Sequence, residues 1–188
     1  MTRAFGHEHK AAPASPATSA APDPLATQFG GPFALTDHTG KRVTDADFRG
    51  RFMLVYFGFT RCTDTCPVDL PVIAQALDGL GPLAEKIAPL FISVDPVNDT
   101  PAVMATYVAN FHPRLVGLSG SETEIAAAAK AYKVHRRKLI QAHHETGDYT
   151  IDHGSLTYLM GADGRFLTLL PHGTSAERMT AVLRKYLS

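Results

Sequence analysis

The 188-residue sequence lacks several features that would each define a broad class of protein. It contains no stretch near the roughly 20 apolar residues of a membrane span, and no signal-peptide core is visible. Its charges balance at 18 basic and 18 acidic residues, so we predict neither nucleic-acid binding nor general binding to a membrane surface. A chain of this length can bury one substantial core, which predicts a single folded domain.

Cysteine is also scarce: the chain has two, Cys62 and Cys66, four positions apart. A disulfide between them would close so short a loop that it would contribute only about 2 kcal/mol, which argues against a stapling role. If the segment is helical, the two side chains share one face with Cβ atoms roughly 5–6 Å apart. That spacing suits either a disulfide or two ligands on one soft metal ion.

The N-terminal part of the chain differs in composition from the rest. Residues 11–24 (AAPASPATSAAPDP) contain six Ala and four Pro among fourteen positions, which cannot build a core. We therefore predict that residues 1–28 form a disordered arm or tether and that residues 29–188 form the folded domain. A tether implies an attachment, so we expect an anchor upstream of this sequence, although none is visible in it.

Strand and helix signals alternate from residue 33 onwards. The apolar runs 52–57 and 90–94 predict two buried strands, and between them a helix is predicted to begin at Pro67 and end before residue 79. Hairpins are predicted at 33–43, 134–151 and 156–170, and further helices at 101–111, 122–132 and 174–187. This order predicts an α/β domain with helices on the faces of a sheet. The thiol pair falls where the first buried strand meets its helix.

A thiol pair at such a junction resembles the thioredoxin superfamily, and further motifs are similar to one branch of it. The motifs are GPF at 31–33, FxG at 48–50, YFGFTxCxxxCP at 56–67, ISVDPxxDTP at 92–101 and DH at 152–153, followed by YLM at 158–160. This ordered set, over about residues 30–187, resembles the Sco/SenC family of copper-binding proteins of the bacterial periplasm and mitochondrial intermembrane space. The resemblance implies a thioredoxin-like fold, with a central mixed sheet flanked by helices and an added N-terminal β-hairpin.

The same resemblance implies a ligand set and a role. Copper, as Cu(I) or Cu(II), would be held by Cys62, Cys66 and His153, and delivered to the binuclear copper centre in subunit II of cytochrome c oxidase. The expected location is the periplasmic side of the bacterial inner membrane, with other periplasmic copper chaperones or thiol oxidoreductases as further candidate partners. Two positions depart from the family: Thr63 replaces the usual Pro, and Gly154 replaces a Ser that commonly follows the histidine. Neither departure removes a ligand.

The residues themselves leave the metal open. A helix N-terminus and the neighbouring Arg61 stabilise thiolate, which is a soft donor that selects Cu(I). Two thiolates and one imidazole also fit a zinc site with an open fourth position. Taken alone, His153 would be interpreted as an ordinary histidine at a strand end. Adjacent Asp152 is a candidate to orient its ring, but the sequence does not show which way that carboxylate points.

The remaining histidines are weaker candidates for ligands. Two lie in the arm (His7 and His9), two lie at a predicted hairpin tip (His143 and His144), and four have no partner cluster in the sequence (His38, His112, His135 and His172). We expect the last four to be ordinary surface or turn residues.

The alternative function is a thiol–disulfide reductase that reduces the cysteines of the recipient copper site, with a redox-active disulfide between Cys62 and Cys66. A general oxidoreductase is disfavoured, because the motif is CxxxC rather than CxxC and residues 149–158 contain no proline. A thiol peroxidase is disfavoured because its PxxxTxxC signature is absent. We therefore predict a metal-binding assembly factor rather than an enzyme.

Overall fold

The computed structural model describes residues 24–140 and 149–188. Within these residues no helix has the length and apolar character needed to cross a membrane. The strands are β1 Ala34–Asp37, β2 Arg42–Thr44, β3 Phe52–Gly58, β4 Ile87–Ser93, β5 Val116–Ser119, β6 Arg136–Ile140, β7 Tyr149–His153, β8 Leu156–Met160 and β9 Phe166–Pro171. The α-helices are α1 Cys66–Leu80, α2 Pro101–Ala109, α3 Glu122–Ala131 and α4 Ala176–Leu187.

Seven of these strands form one mixed sheet in the order β2-β1-β5-β4-β3-β8-β9. Strands β3, β4 and β5 run parallel, whereas β8 pairs antiparallel with β3 and β1 pairs antiparallel with β5. The β1–β2 hairpin extends one edge of the sheet. The predicted α/β class and thioredoxin-like architecture are confirmed, including the added N-terminal hairpin.

The apolar run of β3 is explained by burial on both faces of the sheet. On one face, α3 contributes Ile125 to a core cluster that contains Val55 and Phe57. On the other face, α1 and α4 contribute Leu77 and Leu183 to a second cluster. A strand that is covered on both faces has a continuously hydrophobic sequence. This central strand leads directly to the thiol pair.

Strand β4 begins at Ile87, three residues earlier than the sequence indicates, and it includes Pro89. A proline has no N–H to donate and is disfavoured inside a sheet. Here β5 pairs with β4 only from Leu90 onwards, so Pro89 precedes the pairing on that side.

The predicted hairpin over residues 134–151 forms a separate sheet. Strands β6 and β7 pair only with each other among the described residues, and β7 continues to His153 because that residue pairs with Arg136. The predicted tip, including His143 and His144, lies outside the described residues. His153 is therefore carried by a small sheet, whereas both cysteines follow a strand of the large one.

Phe29, at the start of the predicted domain, packs against the hydrophobic core. The ring of Phe29 lies 5.9 Å from that of Tyr158 and 4.8 Å from that of Phe166, measured between centroids. Pro24–Thr27, which the domain prediction assigns to the arm, form one 3₁₀ turn. Residues 1–23, with His7 and His9, lie outside the described part of the chain, and the arm as a whole stays a prediction.

Candidate metal centre

The connection from β3 to α1 positions the two thiols at the edge of the large sheet. Cys66 is the first residue of α1 and is fully buried, whereas Cys62 in the preceding loop is partly exposed. Pro67 follows in the first turn, where its missing N–H costs no helix hydrogen bond. The two sulfurs therefore differ in access: one faces the cleft and the other lies beneath it.

His153 reaches the thiols from the end of β7. Its side chain is largely buried, with Nε2 3.8 Å from the Cys66 sulfur. Its other ring nitrogen, Nδ1, lies 3.2 Å from the carbonyl oxygen of Gly154. The tautomer that carries its proton on Nδ1 donates to this carbonyl and leaves the Nε2 lone pair facing the sulfurs. The edge of the His153 ring also packs at 83° to the ring of Phe59, with centroids 5.8 Å apart.

The structure brings together the three residues that the sequence analysis singled out. The donor atoms of Cys62, Cys66 and His153 all lie within 4.8 Å of one another, and no other group of this kind occurs in the described residues. Metal–sulfur and metal–nitrogen bonds of about 2.3 and 2.0 Å can be reached from such a cluster with little movement. The cleft above it has a volume of ≈ 200 Å³, and its walls include Asp64, Leu139 and Ser155.

The pKa values of the two thiols are shifted in opposite directions. A hydrogen bond from the Cys66 thiol holds the pKa of Cys62 well below its usual value, and the backbone N–H groups of Asp64 and Cys66 lower it further. The same hydrogen bond, burial and the nearby Cys62 charge raise the pKa of Cys66. The Cys62 sulfur at the cleft is therefore the more readily ionised of the two, and a soft metal must displace the proton of Cys66 to bind both sulfurs.

A buried carboxylate, Asp99, fixes the loop that leads to Cys62. It accepts hydrogen bonds from the Thr60 hydroxyl and the Ser93 hydroxyl, each at 2.6 Å, and from the Thr60 backbone N–H at 3.2 Å. Burial raises the pKa of Asp99, and these hydrogen bonds offset part of the increase. In the sequence Asp99 appeared only as part of the ISVDPxxDTP motif, next to Thr100, which is the N-cap residue of α2. No spacing rule connects Asp99 to Thr60, 39 residues earlier.

Asp152 does not orient the ring of His153. Its carboxylate is exposed and lies 3.5 Å from His135 Nε2 and 3.8 Å from an Arg137 nitrogen. The hydrogen-bond partner of His153 Nδ1 is the Gly154 carbonyl oxygen and not a carboxylate.

Like His135, which contacts Asp152, three other histidines of the described residues have specific partners, which the sequence did not indicate. Nδ1 of His38 accepts from the Gly117 backbone N–H at 3.0 Å, His112 lies 3.3 Å from a carboxylate oxygen of Asp78, and His172 lies 2.8 Å from Asp69. None of them belongs to the metal-competent group.

The thioredoxin-like sheet leads to two thiols that differ in burial and in pKa, and an imidazole lies beside them. These features define a class of protein with a dithiol–histidine site, which suits soft-metal binding and thiol–disulfide exchange. The SCO1/SenC family model matches residues 21–188. The chain belongs to the SCO1/SenC family.

Individual relatives agree with this assignment. The human protein SCO1 homolog, mitochondrial, is 45% identical over 141 residues, which are 74% of this chain and 46% of that protein. The structure of Bradyrhizobium japonicum ScoI with copper bound has 44% identity and a TM-score of 0.77, covering 84% of this chain and 99% of that one. BsSco, a member of the Sco family of cytochrome c oxidase assembly proteins with a disulfide switch, has 26% identity and a TM-score of 0.67, covering 88% and 96%.

The curated relatives are longer than this chain, and they correct one prediction. The chain spans 61% of the fission yeast protein sco1 and 46% of the human SCO1 homolog. The expected location on the periplasmic side of a bacterial inner membrane is wrong on this comparison, because the relatives from human, cow and Arabidopsis thaliana are mitochondrial proteins.

Proposed function

We propose that this chain binds one copper ion through Cys62, Cys66 and His153 and serves in the assembly of cytochrome c oxidase. The observation that carries the proposal is the convergence of two sulfurs and one imidazole nitrogen within 4.8 Å. Family membership supports it, as do related structures that contain copper, such as Bradyrhizobium japonicum ScoI.

The donor set favours copper over zinc. Thiolates are soft ligands and bind Cu(I) well, whereas Cu(II) also favours an imidazole nitrogen. The site offers both kinds of donor at one point, so it can hold copper in either oxidation state.

The difference in exposure between the two thiols also suits the release of copper to another protein. Cys62 faces the cleft, where a ligand from another protein can reach the metal while buried Cys66 still holds it.

The recipient that we propose is the binuclear copper centre in subunit II of cytochrome c oxidase. Copper would pass to it by ligand exchange, in which a recipient thiolate or imidazole binds the ion as a ligand of this chain leaves. The related protein BsSco belongs to a family of cytochrome c oxidase assembly proteins, which supports a recipient within the oxidase.

The second candidate function is reduction of a disulfide in the same recipient, and it is favoured by the opposite pKa shifts of the two free thiols. The Cys62 thiolate would attack one recipient sulfur, form a mixed disulfide and release the other recipient sulfur as a thiolate. Cys66, after losing its proton, would then attack the Cys62 sulfur and release the second recipient thiolate. Two electrons would pass to the recipient, leaving a Cys62–Cys66 disulfide.

One experiment separates the two functions. The soluble copper domain of subunit II is prepared with its cysteines either reduced or oxidised, and mixed with copper-loaded or copper-free protein. Transfer of copper to the reduced domain supports the chaperone function. Reduction of the oxidised domain by the copper-free protein, without copper transfer in the other arm, supports the reductase. A protein that does neither contradicts both, and Cys66→Ser should abolish both.

A further inference from the structure

A hydrogen bond joins the two segments that carry the proposed ligands. The hydroxyl of Ser155, two residues after His153, donates to the hydroxyl oxygen of Thr65, the neighbour of Cys66, at 2.9 Å. Thr65 is the N-cap residue of α1, but its side chain makes no capping hydrogen bond to that helix. A hydroxyl that normally caps a helix is used here to connect the cysteine loop to the histidine segment.

Two further residues close this connection into a ring. The Asp69 carboxylate lies 2.8 Å from Nδ1 of His172, and the backbone N–H of His172 donates to the carbonyl of Ser155 at 3.1 Å. The backbone N–H of Asp69 donates to the carbonyl of Thr65 at 2.9 Å. The ring thus runs through Thr65, Asp69, His172 and Ser155, and we call it the polar ring.

The polar ring is anchored to the large sheet by Tyr56 of β3. The Tyr56 hydroxyl donates to the second carboxylate oxygen of Asp69 at 3.0 Å and lies 3.5 Å from the Thr65 hydroxyl. Tyr56 is almost completely buried, and Asp69 is buried as well. Because both oxygens of Asp69 have partners, its carboxylate is held in one orientation.

We propose that the polar ring positions His153 over the thiol pair, so that Thr65, Asp69, Ser155 and His172 are positioning residues of the metal site. The inference rests on the proposed function. His153 ends a strand of the small sheet, and only Gly154 and Ser155 separate it from β8 of the large sheet. This two-residue link includes a glycine, the most flexible residue type. The hydrogen bond from Ser155 to Thr65 removes that freedom.

The polar ring should matter more for Cu(II) than for Cu(I). Two thiolates alone can hold Cu(I), but Cu(II) depends on the imidazole nitrogen. Loss of residues that orient metal ligands typically costs about 10–100-fold in affinity. We expect a loss of that size for Cu(II) when the ring is broken, and a smaller one for Cu(I).

The variants that test the ring are Thr65→Val and Ser155→Ala, which remove its two hydroxyls. Thr65→Ser keeps a hydroxyl and is the rescue variant. The matched control is Thr106→Val, which removes a hydroxyl that bonds only the Ala102 carbonyl of the distant helix α2. Each protein is titrated separately with Cu(I) and Cu(II). In the metal-free proteins, nuclear Overhauser effects are measured between the His153 ring protons and the Cys66 β protons.

Thr65→Val and Ser155→Ala should lose the His153–Cys66 signal and most Cu(II) affinity, whereas Thr65→Ser and Thr106→Val should match the wild type. A wild-type signal and wild-type Cu(II) affinity in both ring variants would overturn the proposal, as would equal losses for the two ions. If the wild type binds no copper, the proposed function fails, and the metal-free measurement still decides whether the ring positions His153.

Discussion

Gly58 lies directly against Cys66 at the end of β3. A Cβ atom added to Gly58 would come within 2.6 Å of the Cys66 sulfur and within 2.7 Å of the Phe91 ring. The absence of a side chain at this position therefore creates the space that the buried thiol occupies. The requirement is steric, because the Gly58 backbone does not have a positive φ angle.

Replacing this glycine should disturb the site. Gly58→Ala should destabilise the fold by about 1–3 kcal/mol, because extra volume in a packed core forces neighbours to move. It should also weaken copper binding by displacing the Cys66 sulfur. Gly31→Ala is the matched control, because Gly31 also lacks a positive φ angle and an added Cβ there would meet only the Ala131 Cβ, at 3.3 Å. Denaturant unfolding and copper titration measure both effects, and equal behaviour of the two variants would refute the steric account.

The unequal thiols should be visible in alkylation rates. An ordinary cysteine, with a pKa near 8.5, loses about tenfold in rate for each pH unit below that value, because only the thiolate reacts. The lowered pKa of Cys62 keeps it ionised, so its rate with iodoacetamide should change little between pH 8 and pH 6. In Cys66→Ala the group that lowers the Cys62 pKa most is gone, so part of the ordinary pH dependence should return. Mass spectrometry assigns the modified residue, and a tenfold fall per pH unit in the wild type would contradict the prediction.

Asp99 should make the stability of the protein depend on pH. Burial raises its pKa in the folded state above the unfolded value, so the native chain binds this proton more tightly than the unfolded chain does. The resulting stabilisation is fully present below the unfolded pKa and is lost as the pH rises through the folded one. Between pH 7 and pH 4, the unfolding free energy of the wild type should therefore rise relative to Asp99→Asn. The gain is about 1.4 kcal/mol per unit of pKa shift.

The control for that comparison is Glu85→Gln, which changes a strongly exposed carboxylate that pairs with Arg114. Its difference from the wild type should stay within about 1 kcal/mol across the same pH range. If Asp99→Asn shows no more pH dependence than Glu85→Gln, Asp99 does not bind a proton preferentially in the native state.

The histidines outside the described residues offer a direct test of the ligand set. Deleting residues 1–23 removes His7 and His9, and a second variant replaces His143 and His144 by alanine. Neither change touches a member of the three-residue cluster, so copper stoichiometry and affinity should match the wild type. A loss of bound copper in either variant would add new ligands to the site.

The sequence predicted the large-scale features of the molecule because they depend on regular patterns. The buried strands β3 and β4 follow from apolar runs, and the helix start at the thiol pair follows from Pro67. Residues with recognisable motifs, Cys62, Cys66 and His153, are those that the structure brings together.

The surroundings of the site could not be predicted in the same way. Asp99 and Thr60 lie 39 positions apart, and Ser155 and Thr65 lie 90 positions apart. Each pair meets only because the fold places two loops side by side, and no local propensity encodes such a contact. His172 is exposed and lies in a turn, as expected, but its contact with Asp69, 103 positions earlier, could not be predicted for the same reason.

X-ray absorption spectroscopy of the copper-loaded protein tests the central claim most directly, because it counts the atoms bound to the metal. Loaded with one Cu(I) per chain, the wild type should show two sulfur atoms and one nitrogen in the first shell. Cys62→Ser and Cys66→Ser should each lose one sulfur, and His153→Ala should lose the nitrogen. A first shell without sulfur, or one unchanged in all three variants, would mean that copper is held elsewhere.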